Sequence, residues 1–310
     1  MKSVVFAYHN MGIGGLEALL RSGFKVVTIF SHEDDPGEKC WFASVADWAK
    51  SRDIPIVFPE DVNKPEWIAH ISALAPDTIF SFYYRKMLCQ EILNIPASGA
   101  YNLHGSLLPA YRGRVPVNWV LVHGETQTGV TLHNMVAKPD AGDIVGQKAV
   151  DITFEDTAIT LYDKLCRASS TLLDEVLPLI LTGRATLIVQ DARKASYFGG
   201  RKPEDGRIGW SWTAIRIYNL IRAVTDPYPG AFSFLPDGTK MLVWWGFPEE
   251  EGSGAAGAGT VVVDNEGEMI YVQAGTGRIR LLDIEINGSR IKNGEIWQYF
   301  RNDRNMPVLR

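Results

Sequence analysis

Short apolar runs alternate with amphipathic segments through the first half of the chain. Residues 4–8, 25–30, 54–58 and 77–82 are apolar stretches of strand length, separated by segments at 16–21, 42–52 and 67–74 whose apolar positions recur at helical spacing. Strand and helix in alternation, with joints of a few residues, predict an α/β fold: a Rossmann-like open parallel sheet with helices on both faces. Gly12-Ile13-Gly14-Gly15 reads as the tight turn from first strand to first helix, and Gly23 as that helix's C-cap. A dinucleotide fingerprint fits these residues less well than a tight turn does. The third glycine of G-x-G-x-x-G would fall at position 17, which is Glu17, and the second strand ends in Ser31-His32 without an acidic ribose ligand.

Further along, 117–123 reads as a short helix, 126–133 as an alternating strand, 157–181 as a long amphipathic helix and 185–190 as a strand. A helix over 210–224 then gives way to short strands at 241–245, 260–263, 269–273 and 279–286 with Gly, Asp and Asn turns, the pattern of a small OB-like β-barrel. The expected organisation is a catalytic domain over 1–190, a linker over 191–206 and a β-barrel domain over 207–310. The Gly/Ala-rich stretch at 249–259 reads as a loop, centred on 252–259.

Composition narrows the function classes without naming one. A net charge of -5 argues against a nucleic acid as the main partner. The three cysteines, Cys40, Cys89 and Cys166, are widely spaced, which suggests a reducing, cytoplasmic setting rather than a disulfide framework or a zinc site. The amino terminus has too short an apolar run for a signal peptide, and no run reaches the 18 apolar residues of a membrane span.

Chemistry concentrates in one segment, residues 102–116. It follows the apolar run Gly99-Ala100-Tyr101 and carries Asn102, His104, Arg112 and Arg114 among two glycines and two prolines. Alternation puts Asn102 and His104 on one face of an ending strand. An amide can donate to a developing oxyanion and an imidazole can move a proton near neutral pH, a pairing suited to acyl transfer. A second loop, Met135-Val136-Ala137-Lys138-Pro139-Asp140-Ala141-Gly142-Asp143, sets two aspartates beside a returning strand. In an open α/β sheet the ligand crevice lies beyond the carboxyl ends of the strands, so the loops at 8–15, 83–88 and 102–116 are candidates to line it.

Asn102-x-His104, Ser106-Leu107-Leu108-Pro109-x-Tyr111-Arg112-Gly113, Thr128-Gly129-Val130-Thr131 and Asp140-x-Gly142-Asp143, in that order and spacing, resemble the folate-dependent formyltransferases. Within the family, Phe6-Ala7-Tyr8-His9-x-Met11-Gly12, Pro36-Gly37-Glu38-Lys39, Phe80-Ser81-Phe82-Tyr83-Tyr84-Arg85 and Asn118-Trp119-Val120-Leu121-Val122 are similar to the domains that formylate UDP-4-amino-4-deoxy-L-arabinose in lipid A modification. Many such relatives carry a second, NAD-binding decarboxylase domain; this chain ends at Arg310, so no NAD is expected.

The resemblance implies a catalytic set of Asn102, His104 and Asp140, with 10-formyltetrahydrofolate as co-substrate and no metal. It implies folate contacts at Lys86, Met87 and Leu88, at Arg114, and at Val136, Ala137, Lys138, Pro139 and Asp140. Tyr8, Arg112, Asn118, Tyr197, Phe198 and Arg201 are candidate contacts to a UDP-amino sugar, with Tyr197 or Phe198 stacking on the base and Arg201 facing the diphosphate. Whether His104 or Asp140 takes the amine proton is open, as is self-association into a homo-oligomer.

Three alternatives stand beside this reading. Methionyl-tRNA formyltransferases need a basic face for RNA, whereas residues 205–310 hold 13 Asp/Glu against 11 Lys/Arg, and the loop after the second strand is acidic (Glu33, Asp34, Asp35, Glu38 against Lys39). A dTDP-linked amino sugar differs from a UDP-linked one by a methyl group on the base. A non-catalytic folate- or nucleotide-binding module would not need all three of Asn102, His104 and Asp140.

Overall fold

The computed structural model describes residues 1–34, 41–250, 256–301 and 308–309. Part of the acidic loop (Asp35, Glu38, Lys39), the Pro36-Gly37-Glu38-Lys39 motif, Cys40 and residues 252–255 of the Gly/Ala-rich stretch lie outside them. In chain order the first elements are β1 (Lys2–Ala7), α1 (His9–Arg21), β2 (Lys25–Phe30), α2 (Val45–Lys50), β3 (Ile56–Val57), α3 (Pro65–Leu74), β4 (Thr78–Phe82), α4 (Gln90–Leu93) and β5 (Ala100–His104). Then come β6 (Arg112–Gly113), α5 (Pro116–Val122), β7 (Gln127–Asn134), β8 (Ile144–Asp151), α6 (Ala158–Leu181) and β9 (Tyr197–Phe198). The chain divides into two compact units.

The first unit comprises 1–116, 127–152 and 162–199. Its sheet has the order β3-β2-β1-β4-β5-β7-β8. Pairing is parallel from β3 to β5, then antiparallel between β5 and β7 and between β7 and β8. The α/β reading therefore holds, with two antiparallel strands added at one edge. Val4, Phe6, Phe30 and Ile79 are fully buried and form one core with Ile71 of α3, Ile92 of α4 and Leu88. A strand covered on both faces has no polar side to alternate with, which is why the central strands appear in the sequence as unbroken apolar runs.

Two local expectations give way. Gly12 to Gly15 are not the turn; they lie inside α1, and the chain reverses one step earlier, at His9 with φ +69°. The buried His9 Nδ1 accepts the Tyr162 hydroxyl at 2.6 Å, and that oxygen accepts the Met11 N–H at 3.0 Å. Burial, reinforced by the Arg85 charge, pushes the imidazole down to about 3, so it stays neutral. Gly15 serves close packing, since a Cβ there would collide with the Phe82 ring. The segment 185–190 is not a strand: among the described residues only Ile188 bridges to the edge strand, at Ile144.

The second unit comprises 117–126, 153–161 and 200–310. It contains α7 (Ala214–Val224), β10 (Ala231–Phe234), β11 (Lys240–Glu249), β12 (Val261–Asp264), β13 (Met269–Gln273), β14 (Arg278–Ile286), β15 (Ser289–Lys292) and α8 (Gly294–Phe300). The strands form an antiparallel sheet, β10-β11-β14-β13-β12, with β15 added to β14. Strand β14 is long enough to pair β13 through 278–280 and β15 through 283–286. Helix α7 begins four residues later than its apolar pattern suggests because Thr213 caps it, its hydroxyl accepting the Arg216 N–H at 3.3 Å.

Gly15→Ala tests the helix–sheet contact. Alanine favours a helix over glycine by ~1 kcal/mol, but overpacking a tight core costs ~1–3 kcal/mol. The variant is expected to unfold at lower urea than the wild type; equal or greater stability would contradict the packing role.

Candidate active site

Strands β5 and β7 build the site from their pairing register. Asn102 lies directly opposite His133, and His104 opposite Thr131. Side chains alternate along a strand and match across it, so all four share one face. Thr131 anchors the loop that leaves β5: its hydroxyl donates to the Ser106 carbonyl at 2.6 Å and accepts the Leu108 N–H at 3.1 Å. Gln147 of β8 adds bonds of 2.9 Å to the Leu108 carbonyl and to Thr131 Oγ1.

Asp140 comes from the loop joining β7 to β8 and has φ +52°. One carboxylate oxygen accepts the Gly113 N–H at 2.8 Å. The other stands 3.6 Å from His104 Nδ1 and 3.5 Å from His133 Nε2. Hydrogen-bond logic assigns the ring protons. His104 Nε2 must donate to the Tyr111 carbonyl at 2.8 Å, and His133 Nδ1 to the Asn134 carbonyl at 2.7 Å, because a carbonyl only accepts. In the neutral His104 ring the bare Nδ1 therefore faces Asp140. His133 Nε2 also receives the Asn102 amide at 3.2 Å, and the second hydrogen of that amide has no partner among the described residues.

Burial would by itself raise the Asp140 pKa. His104, His133 and the Gly113 N–H outweigh it and hold the carboxyl at about 2. Burial lowers His104, against the opposing pull of Asp140 and the Tyr111 carbonyl. At neutral pH the centre is thus an ionised carboxylate beside a neutral His104 imidazole, ready to take one proton at Nδ1. It offers an amide donor, a base and a charged partner for that base.

The remaining candidates separate into exposed and committed groups. Met87 and Val136 are 53% and 41% exposed, and Ala137, Lys138, Pro139 and Arg114 are exposed as well. Leu88 is a core residue, and the Lys86 ammonium donates to the Pro59 and Glu60 carbonyls. Tyr8 is buried beneath the Arg85 guanidinium, 4.7 Å from its ring centroid. Arg112 is buried too, and its guanidinium bonds Gln190 and the Tyr197 hydroxyl. Phe198 stacks on Tyr111 at 5.0 Å. In the second unit, buried Asn118 donates to the Ala223 carbonyl at 2.7 Å, and Arg201 lies over Trp119 at 4.7 Å. Among the described residues no group of three or more His, Cys, Asp and Glu is placed to hold a metal ion, and no helix is long and apolar enough to cross a membrane.

Residues 6–177 match the formyl transferase family, and residues 201–301 match the formyl transferase C-terminal domain. The chain belongs to the formyl transferase family and is an enzyme of formyl-group transfer. Solved structures share its fold. An N-formyltransferase from Helicobacter canadensis, in complex with folinic acid and dTDP-3-aminofucose, is 21% identical with a TM-score of 0.69, over 91% of this chain and 98% of that one. WlaRD, a sugar 3N-formyl transferase in the presence of dTDP and 5-N-formyl-THF, is 20% identical with a TM-score of 0.67, over 91% and 97%. The methionyl-tRNA formyltransferase from Clostridium thermocellum is 17% identical with a TM-score of 0.57, over 94% and 99%.

Two participants escaped the sequence reading. His133 belongs to the alternating run Thr131-Leu132-His133, but only the β5–β7 register sets it beside Asn102. Gln190 was hidden in an apolar stretch, Leu187-Ile188-Val189, that resembles a strand.

Asp140→Asn tests the electrostatics. The carboxylate raises His104 against burial, so its removal lowers the imidazole further. If His104 must be neutral to act, kcat falls and the acid limb of its pH profile moves to lower pH than in the wild type. A limb that moves to higher pH would contradict the assignment.

Proposed function

We propose that this protein transfers the formyl group of 10-formyltetrahydrofolate to the amine of a nucleotide-linked amino sugar, with UDP-4-amino-4-deoxy-L-arabinose as the first candidate. The observation that carries the reading is the convergence of Asn102 and His104, from strand β5, with Asp140, from the β7–β8 loop, on one carboxylate–imidazole centre. The neutral amine attacks the formyl carbon. The carbonyl oxygen becomes an oxyanion that accepts the free N–H of Asn102; one such donor is worth ~10²–10³ in rate. His104 takes the amine proton at Nδ1, beside Asp140, and gives it up to N10 of the folate as the C–N10 bond of the tetrahedral intermediate breaks, which returns the imidazole to its neutral form. Positioned general acid–base transfer of this kind contributes ~10²–10⁴.

Folate would lie along the exposed 136–139 segment and Met87, with Arg114 available for a carboxylate. Support for the sugar comes from the motifs shared with enzymes acting on UDP-4-amino-4-deoxy-L-arabinose. The dTDP-3-aminofucose bound by the Helicobacter canadensis enzyme makes a dTDP-linked sugar the second reading. A tRNA acceptor fits less well with a net charge of -5.

The test offers the purified protein and 10-formyltetrahydrofolate to UDP-4-amino-4-deoxy-L-arabinose, a dTDP-amino sugar and methionyl-tRNA in parallel, with products followed by mass spectrometry. The UDP sugar is expected to give the highest kcat/KM. Formylation of the tRNA alone would overturn the proposal.

A further inference from the structure

Asp140 must hold a left-handed backbone, with φ +52°, while its side chain reaches into the site. That conformation is uncommon for a residue with a Cβ and persists where surrounding contacts impose it. The contacts come from a residue 50 positions away. Gln190, itself buried, donates one amide hydrogen to the Asp140 carbonyl at 2.8 Å and the other to the Gly142 carbonyl at 2.6 Å. Its oxygen accepts from Arg112 Nε at 3.2 Å and Nη2 at 2.6 Å. Both hydrogens and both lone pairs of the amide are thus in use.

Arg112 closes the arrangement. Its guanidinium is buried with no carboxylate partner among the described residues, and its remaining arm donates to the Tyr197 hydroxyl at 2.6 Å. Strand β6, which includes Arg112, pairs in parallel with β9, which includes Tyr197. Next to Arg112, the Gly113 N–H binds the Asp140 carboxylate itself. One amide therefore fixes the Asp140 backbone from behind and ties it to the segment that grips its side chain from the front.

We propose that Gln190 is a positioning residue for the reaction: with Arg112 it locks the 140–142 backbone so that the Asp140 carboxylate is presented to His104 and His133. This rests on the formyl-transfer reading for its kinetic consequence but not for its structural one. Gln190 has no hydrogen bond to His104, and its bonds to the Asp140 and Gly142 carbonyls make Asp140 the route of its effect on turnover. A misplacement of about 1 Å at such a group can cost ~10² in rate.

The experiment is a double-mutant cycle with Gln190→Met, which keeps the volume and removes the donors, in the wild-type and Asp140→Asn backgrounds. Arg112→Lys, which cannot reproduce the two-pronged bond to Gln190, serves as a second variant should Gln190→Met fold poorly. In the wild-type background kcat is expected to fall ~10–100-fold. In the Asp140→Asn background either variant should cost less than ~3-fold, because the backbone bond from Gln190 then positions a side chain that has already lost its charge. Equal losses in both backgrounds, or no loss in the wild type, would overturn the proposal. Hydrogen exchange of the folded proteins supplies an arm independent of turnover: Gln190→Met should raise exchange across 135–143 while β1 and β4 stay protected. Unchanged exchange there would overturn the positioning role, even if no acceptor amine were formylated and the functional reading had failed on its own.

Discussion

A carboxylate placed among strand ends, with little water around it, is stable only where the protein supplies what water would have. For Asp140 the supply is one backbone N–H from Gly113 at 2.8 Å, and two imidazole nitrogens stand close by, at 3.5 and 3.6 Å. The His104 ring is oriented by a carbonyl acceptor on its far side, so it turns its basic nitrogen inward. The result is a small basin of proton affinity: the negative charge of Asp140 beside the neutral base His104. The rest of the site serves to build and hold that basin.

Building it requires backbone that the regular elements do not provide. Tyr111, Val115 and Asp140 all have positive φ, at 58°, 48° and 52°, and Gly113 lies among them at 98°. Conformations of this kind cost of order 1–3 kcal/mol each and survive where the surroundings over-determine them. Here the surroundings are the antiparallel pair β5–β7, the short parallel pair β6–β9 and the Gln190 amide. The parallel part of the sheet, with its dense apolar core, forms the rigid base from which these loops project.

That division explains what could be read from the sequence. Continuous apolar runs such as 25–30 and 77–82 mark buried strands, because a strand covered on both faces has nowhere to place polar residues. The motif residues Asn102, His104 and Asp140 were visible through family resemblance. The antiparallel turn of β7 and β8 was not, since strand direction leaves no mark on hydrophobic pattern. His133 became a neighbour of Asn102 only through that direction and its register. Arg112 looked like a substrate grip because an arginine in a Gly-rich loop is usually solvated, and burial against Gln190 cannot be inferred from local spacing. Gly12 to Gly15 looked like a turn because glycine marks both turns and close helix contacts, and only the position of Phe82 separates the two for Gly15.

The central claim concerns protonation, and it is read most directly by nitrogen NMR of histidine-labelled protein between pH 5.5 and 8. His104 is expected to be neutral at pH 7 with its proton on Nε2, neighbouring an Asp140 that stays ionised across the whole range. A His104 that is cationic at pH 7, or one protonated on Nδ1 with Nε2 bare, would contradict it.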